Sequence, residues 1–180
     1  MEPQNIFNPE TVADSTPQLR TKLDWKIWIQ WVLATTVGWA VGLIFGGEIG
    51  TGVFIGIAQW LVIRRYFSQA GWWILASAVG WIAGWGLISS GSIVPQGGGL
   101  INTMIAGGVF GLTVGVAQWI VLRRWVKLAS VWILLSVPGW TIGLFGILGT
   151  ILVGVVVGAI TGFALDFLLR FPRDGIKLKN

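Results

Sequence analysis

Charge is confined to a few points of this chain, and what lies between them is apolar over long distances. The apolar stretches run over about 27–46, 49–63, 72–88, 100–122, 131–146 and 151–169. A helix that spans a bilayer needs about 20 apolar residues. Several of these stretches are shorter, so interfacial residues would extend them. Positive residues fall before the first stretch (Arg20, Lys22, Lys26), between the second and third (Arg64, Arg65), between the fourth and fifth (Arg123, Arg124, Lys127) and after the sixth (Arg170, Arg173, Lys177, Lys179). If the chain crosses six times, all 12 Lys and Arg lie on one side and Glu48 alone on the other. The excess of Lys and Arg on cytoplasmic loops then places both termini in the cytoplasm.

Composition agrees. Only 11% of the residues are charged and 54% are hydrophobic, against about 25% charged in an average soluble domain. An ordinary soluble domain, a disordered chain and a nucleic-acid-binding domain are excluded. The pI near 10.3 is an orientation signal of the loops. There is no Cys, hence no disulfide or thiolate metal site, and no His, the commonest general base.

The expected fold class is an all-α integral membrane protein of six transmembrane helices. A polar segment, 1–22, is broken by Pro3, Pro9 and Pro17 and lacks the basic-then-apolar order of a signal peptide. It is expected to be a mobile cytoplasmic tail. The membrane domain covers 23–171, and 172–180 is a basic cytoplasmic tail. Asp166 stands four residues before Arg170, the spacing of a helical ion pair.

The chain repeats itself. Gly52-Val-Phe-Ile-Gly56-Ile-Ala-Gln59-Trp60-Leu-Val-Ile-Arg64-Arg65 matches Gly111-Leu-Thr-Val-Gly115-Val-Ala-Gln118-Trp119-Ile-Val-Leu-Arg123-Arg124 as G-x-x-x-G-x-A-Q-W-x-V-x-R-R. The odd stretches share W-x3-[ST]-x2-G-W-x2-G: Trp31, Thr35, Gly38, Trp39, Gly42; Trp73, Ser77, Gly80, Trp81, Gly84; Trp132, Ser136, Gly139, Trp140, Gly143. The sixth keeps Gly154 and Gly158, but Thr161 stands where Gln was and Gly162 where Trp was. The unit is a helical hairpin used three times (about 25–67, 72–125 and 130–171), with parallel repeats. The middle unit has an insertion, expected to form an outer loop over about 89–100.

Glycines four apart share a helix face. Gly38, Gly42, Gly52, Gly56, Gly80, Gly84, Gly111, Gly115, Gly139, Gly143, Gly154 and Gly158 are therefore expected at helix–helix seams, where small residues let backbones approach in lipid. Gln59 and Gln118 share the glycine face and point into the bundle, with Thr161 at the same level. They either fix the packing, at about 0.6–2 kcal/mol per contact, or line a pocket that opens to the cytoplasm. Trp25, Trp28, Trp31, Trp60, Trp72, Trp73, Trp119, Trp125 and Trp132 are expected to form an aromatic belt at the cytoplasmic interface. Trp39, Trp81 and Trp140 lie eight residues further along, about 12 Å deeper, as core packing or as a stacking wall for a ligand. Arg64, Arg65, Arg123 and Arg124 are expected to face anionic headgroups. Glu48 is expected to be solvated in a tight turn over 46–50.

The repeated Q-W-x-V-x-R-R hairpins resemble those of a loosely defined, uncharacterised set of bacterial polytopic membrane proteins, many of them cyanobacterial. The resemblance covers about Trp28 to Arg170 and departs in the sixth stretch. It implies a bacterial inner membrane, or a thylakoid membrane as the alternative, and carries no activity. Six helices in this length also resemble, in size and span count, the substrate-binding components of energy-coupling-factor transporters. Three parallel hairpins resemble the layout of mitochondrial carriers, whose proline–acidic–basic signature is absent here. The expected function is a non-enzymatic scaffold or assembly protein, or a lipid- or pigment-binding bundle with a polar-aromatic site. A glutamine can ligate chlorophyll magnesium, so no cofactor is specified. The alternative is a small-solute transporter component or channel. Expected partners are membrane lipids, another membrane protein or a second copy of the chain.

Overall fold

A computed structural model of the chain describes residues 22–93, 99–145 and 152–174. The expectations for the two tails and the centre of the outer loop fall on 1–21, 94–98 and 175–180, outside the described residues. The described chain is helical, with no strand among the described residues. The helices are α1 (Trp25–Val41), which runs on through a π-helical turn at Gly42–Gly46, α2 (Gly47–Ile63), α3 (Trp72–Ser89), α4 (Leu100–Leu122), α5 (Ser130–Phe145) and α6 (Val153–Leu168). Three segments are long and apolar enough to cross a membrane: Trp25–Gly46, Trp72–Ser89 and Leu100–Leu122. Ile49–Ile63, Ser130–Phe145 and Val153–Leu168 are shorter apolar helices.

Local chemistry sets the helix ends. Asp24 caps α1, its side chain accepting from the backbone N–H groups of Lys26 and Ile27, two of the donors a helix start leaves unsatisfied. The expected turn over 46–50 narrows to a junction at Gly47, whose φ of 56° and ψ of −159° are open to glycine alone. The side chain of Glu48 lies outside the described residues.

Each helix packs on the next, and α6 packs back on α1, so the six close a ring. The seams explain the glycine spacing. A Cβ on Gly38 would lie 2.7 Å from the Cα of Ile55, and one on Gly80 would lie 2.6 Å from that of Val114. On the other faces of the even helices, a Cβ on Gly111 would lie 2.5 Å from the Cα of Val137 and one on Gly154 would lie 2.7 Å from that of Thr36. Gly42 abuts Thr51, Gly52 the Cβ of Trp81, Gly56 and Gly115 the Cβ atoms of Ser77 and Ser136, Gly84 the ring of Phe110, Gly143 Val157 and Gly158 Val32. Gly139 is the roomy position, with Ile160 at 3.6 Å.

The interior holds two apolar layers. One contains Trp31, Trp73 and Trp132 with Ile63, Leu122, Leu165 and Phe67, and the other Trp39, Trp81, Trp140 and Phe110. The outside of the ring is apolar as well: Leu33, Val37, Ile44, Phe45, Ile101 and Leu134 are all more than half exposed. A continuous apolar exterior marks a membrane or protein contact.

The seams predict different outcomes for one substitution at two positions. Gly111→Ala forces a methyl into the α5 backbone and should destabilise the folded protein by about 1–3 kcal/mol, as overpacking does. Gly139→Ala meets ordinary van der Waals distance and should leave it unchanged. Thermal midpoints of the two detergent-solubilised variants, read by size-exclusion recovery, check this.

Candidate functional site

The odd helices carry the residues that meet on the ring axis. In W-x3-[ST]-x2-G-W, the first Trp, the hydroxyl residue and the second Trp lie at offsets of four and eight, one face of a helix. The structure turns that face inward. Trp31, Trp73 and Trp132 are 0%, 0% and 1% exposed. Their rings meet edge to face in a closed triangle, with centroids 5.8, 5.7 and 5.3 Å apart. These three therefore do not belong to an interfacial belt. Depth along the helix would suit them to one, but their helical angle points them at the axis. Trp125 is also buried, stacked 4.4 Å from Phe67. Trp25 and Trp72 are the exposed members of the expected belt, and Trp28, Trp60 and Trp119 are half-buried.

Trp39, Trp81 and Trp140 form a second triangle, with centroids 5.9, 5.9 and 5.5 Å apart. Such edge-to-face pairs contribute about 0.5–1.5 kcal/mol each beyond area burial.

Between the triangles lies a polar ring supplied by the even helices. The indole N–H of Trp73 donates to Oε1 of Gln59 at 3.0 Å, that of Trp132 to Oε1 of Gln118 at 2.9 Å, and that of Trp31 to Oγ1 of Thr161 at 2.9 Å. The amide nitrogens reach back within their own hairpins: Gln59 donates to Oγ1 of Thr35 at 3.1 Å, and Gln118 to Oγ of Ser77 at 2.9 Å. Gln118 also donates to Oε1 of Gln59 at 3.3 Å. Gln59, Gln118, Thr161, Thr35, Ser77 and Ser136 are all buried. Thus Gln59, Gln118 and Thr161 do share one level, and the three deep Trp cover it. The cavity between the triangles has a volume of about 10 Å³, the size of about one water molecule. A pigment macrocycle or acyl chain does not fit there, and both glutamine carbonyls already accept an indole N–H. Amides, hydroxyls and indoles do not titrate near neutrality, so the ring offers hydrogen bonding rather than proton transfer.

At the basic end the guanidinium of Arg64 lies over the ring of Trp60, and that of Arg123 over Trp119, each 4.9 Å from the centroid. W-x3-R at i,i+4 was the available signal for this pair. The sixth helix differs in kind. Asp166 stands where Arg64 and Arg123 stand. It pairs with Arg170, as the spacing predicts, and also accepts the backbone N–H of Asp24 at 3.0 Å, which ties α6 to the start of α1. Gly162 also has a partner: its missing side chain makes room for Trp28, whose indole N–H donates to the carbonyl of Ala159 at 3.0 Å. In sequence register Trp28 corresponds to Ala70 and Ala129, and Gly162 to Trp60 and Trp119, so large and small residues trade places between the two helices. The segment after α6 crosses the α4–α5 loop, with Lys127 N–H on the carbonyl of Phe171 at 3.0 Å and Arg173 N–H on that of Trp125 at 2.9 Å.

Compared with protein-family models, curated proteins and solved structures, the chain matches none.

Gln118→Leu removes an acceptor and two donors at once and strands the Trp132 N–H. It should cost about 1–3 kcal/mol, read as a shift in reversible unfolding in mixed micelles. Leu134→Ala on the exposed face should move that transition by less than about 0.5 kcal/mol.

Proposed function

We propose that this chain is a non-catalytic integral membrane scaffold, which crosses the membrane six times and acts through its outer surface rather than through an interior site. The observation that carries this reading is the filled axis: two tryptophan triangles cover an amide–hydroxyl ring with room for about one water. Three hairpins, related by rotation about the membrane normal, account for the recurrence of each triangle and for the shared level of Gln59, Gln118 and Thr161. The one-sided distribution of Lys and Arg supports cytoplasmic termini. The likeness of the Q-W-x-V-x-R-R hairpins to bacterial membrane proteins supports a bacterial inner membrane, with a thylakoid membrane as the alternative. Arg64, Arg65, Arg123 and Arg124 then meet anionic headgroups on the cytoplasmic face. Another membrane protein, or a second copy of this chain, is the partner class that suits an apolar exterior.

One observation favours a second reading, lipid binding. A groove of about 560 Å³ lies between α5 and α6, lined by Leu23, Val131, Leu135, Phe163 and Phe167 with Asp166 and Arg170. An acyl chain would lie along its apolar wall.

Two measurements test the main reading. The chain has no Cys, so single-cysteine variants report topology directly. An impermeant maleimide should label Ser92→Cys from outside intact cells and Ser68→Cys only after lysis. The reverse pattern contradicts cytoplasmic termini, and labelling of both from one side contradicts a crossing by α3 and with it the six-span reading. In proteoliposomes the protein should pass no potassium, proton or glycerol flux above protein-free vesicles. A flux that Gln59→Leu together with Gln118→Leu abolishes, in a folded protein, overturns the scaffold reading in favour of a channel or transporter.

A further inference from the structure

The polar ring follows a cyclic rule that is complete in two of its three units. In each complete unit a glutamine oxygen accepts an indole N–H, and its amide nitrogen donates to the hydroxyl residue of its own hairpin. Gln59 does this with Trp73 and Thr35, and Gln118 with Trp132 and Ser77. Gln118 further donates to the oxygen of Gln59 in the preceding unit. In the third unit Thr161 replaces the glutamine. Its hydroxyl oxygen takes over the acceptor half, from Trp31, and its own proton goes to the carbonyl of Val157. The donor half has no counterpart. By the rule, the missing amide nitrogen would donate to Oγ of Ser136 and Oε1 of Gln118, and the missing oxygen would accept from the amide of Gln59.

The axial cavity reaches this place. Threonine is shorter than glutamine, and Thr161 and Ser136 of the third unit border the cavity together with residues of α2, α3 and α4, Gln59, Ser77 and Gln118 among them. The neighbouring α5–α6 seam is also the loose one: a Cβ on Gly139 would lie 3.6 Å from Ile160, where one on Gly38 or Gly80 would lie 2.7 or 2.6 Å from its neighbour. A volume of about 10 Å³ matches one water-sized molecule, and a buried water commonly makes about three hydrogen bonds.

We infer that this cavity is a binding site for one water molecule, which stands in for the amide of the missing third glutamine. It donates one proton to Ser136 Oγ and one to Gln118 Oε1, and accepts from Gln59 Nε2. Its polar partners on three helices make it a crosslink of α2, α4 and α5 in the one unit whose side chain is too short to provide that link. The site is independent of the topology and of the scaffold reading, since it concerns only the ring interior.

The test is a high-resolution structure of the full chain in a lipid phase, in the wild type and in Thr161→Gln. The wild type should show one isolated density peak within hydrogen-bond distance of Ser136 and Gln118. In Thr161→Gln the side-chain amide should occupy that position and the peak should be gone. Should that variant not fold, Ser136→Ala serves instead, because it leaves the Trp31–Thr161 bond intact and should weaken or remove the peak. A wild-type map with other buried waters ordered and none here overturns the proposal. So does a peak that rubidium replaces with an anomalous signal, because the occupant would then be a cation.

Discussion

An indole or amide N–H held away from water without an acceptor inside the protein costs several kcal/mol in an apolar surrounding. The arrangement at the ring axis follows from that constraint. Three large apolar rings fill the space where six helices converge, and each brings an N–H that cannot be left bare. A glutamine or threonine on the neighbouring hairpin answers each one. Since donor and acceptor belong to different hairpins, the bonds tie unit to unit and fix the level at which they meet.

Glycine makes that ring possible. The triangles need helices close enough for indoles to touch, and the seams approach until a Cβ would collide with backbone at Gly38, Gly80, Gly111 and Gly154. Small residues on the seams and large ones on the axis are two sides of one packing solution. The swap at Gly162 and Trp28 keeps the volume of the α6–α1 seam filled although the residue identities are exchanged between helices.

Much of this was legible in the residues. Charge placement and apolar length located the helices to within a few positions, and glycines four apart coincide with close helix approaches at Gly38, Gly80, Gly111 and Gly154 but not at Gly139. The shared level of Gln59, Gln118 and Thr161 followed from the repeat. Two features were misjudged or missed for identifiable reasons. Trp31, Trp73 and Trp132 lie near the basic end, and tryptophan at that depth suits an interface. The offset of four to Thr35, Ser77 and Ser136 carried the contrary signal, that they face inward. The roles of Asp166 and Trp28 were hidden because each depends on a partner over 130 residues away, and a local pattern does not report such pairings. Which hydroxyl each glutamine chooses is likewise set by three-dimensional register.

The central claim is that Trp31, Trp73 and Trp132 are each locked by a hydrogen bond inside the bundle. Hydrogen exchange of the 13 indole N–H groups, resolved by nitrogen-15 NMR in lipid nanodiscs, tests it most directly. The indole protons of Trp31, Trp73 and Trp132 should exchange far more slowly than those of the exposed Trp25 and Trp72. Exchange of all five at one rate would contradict the account.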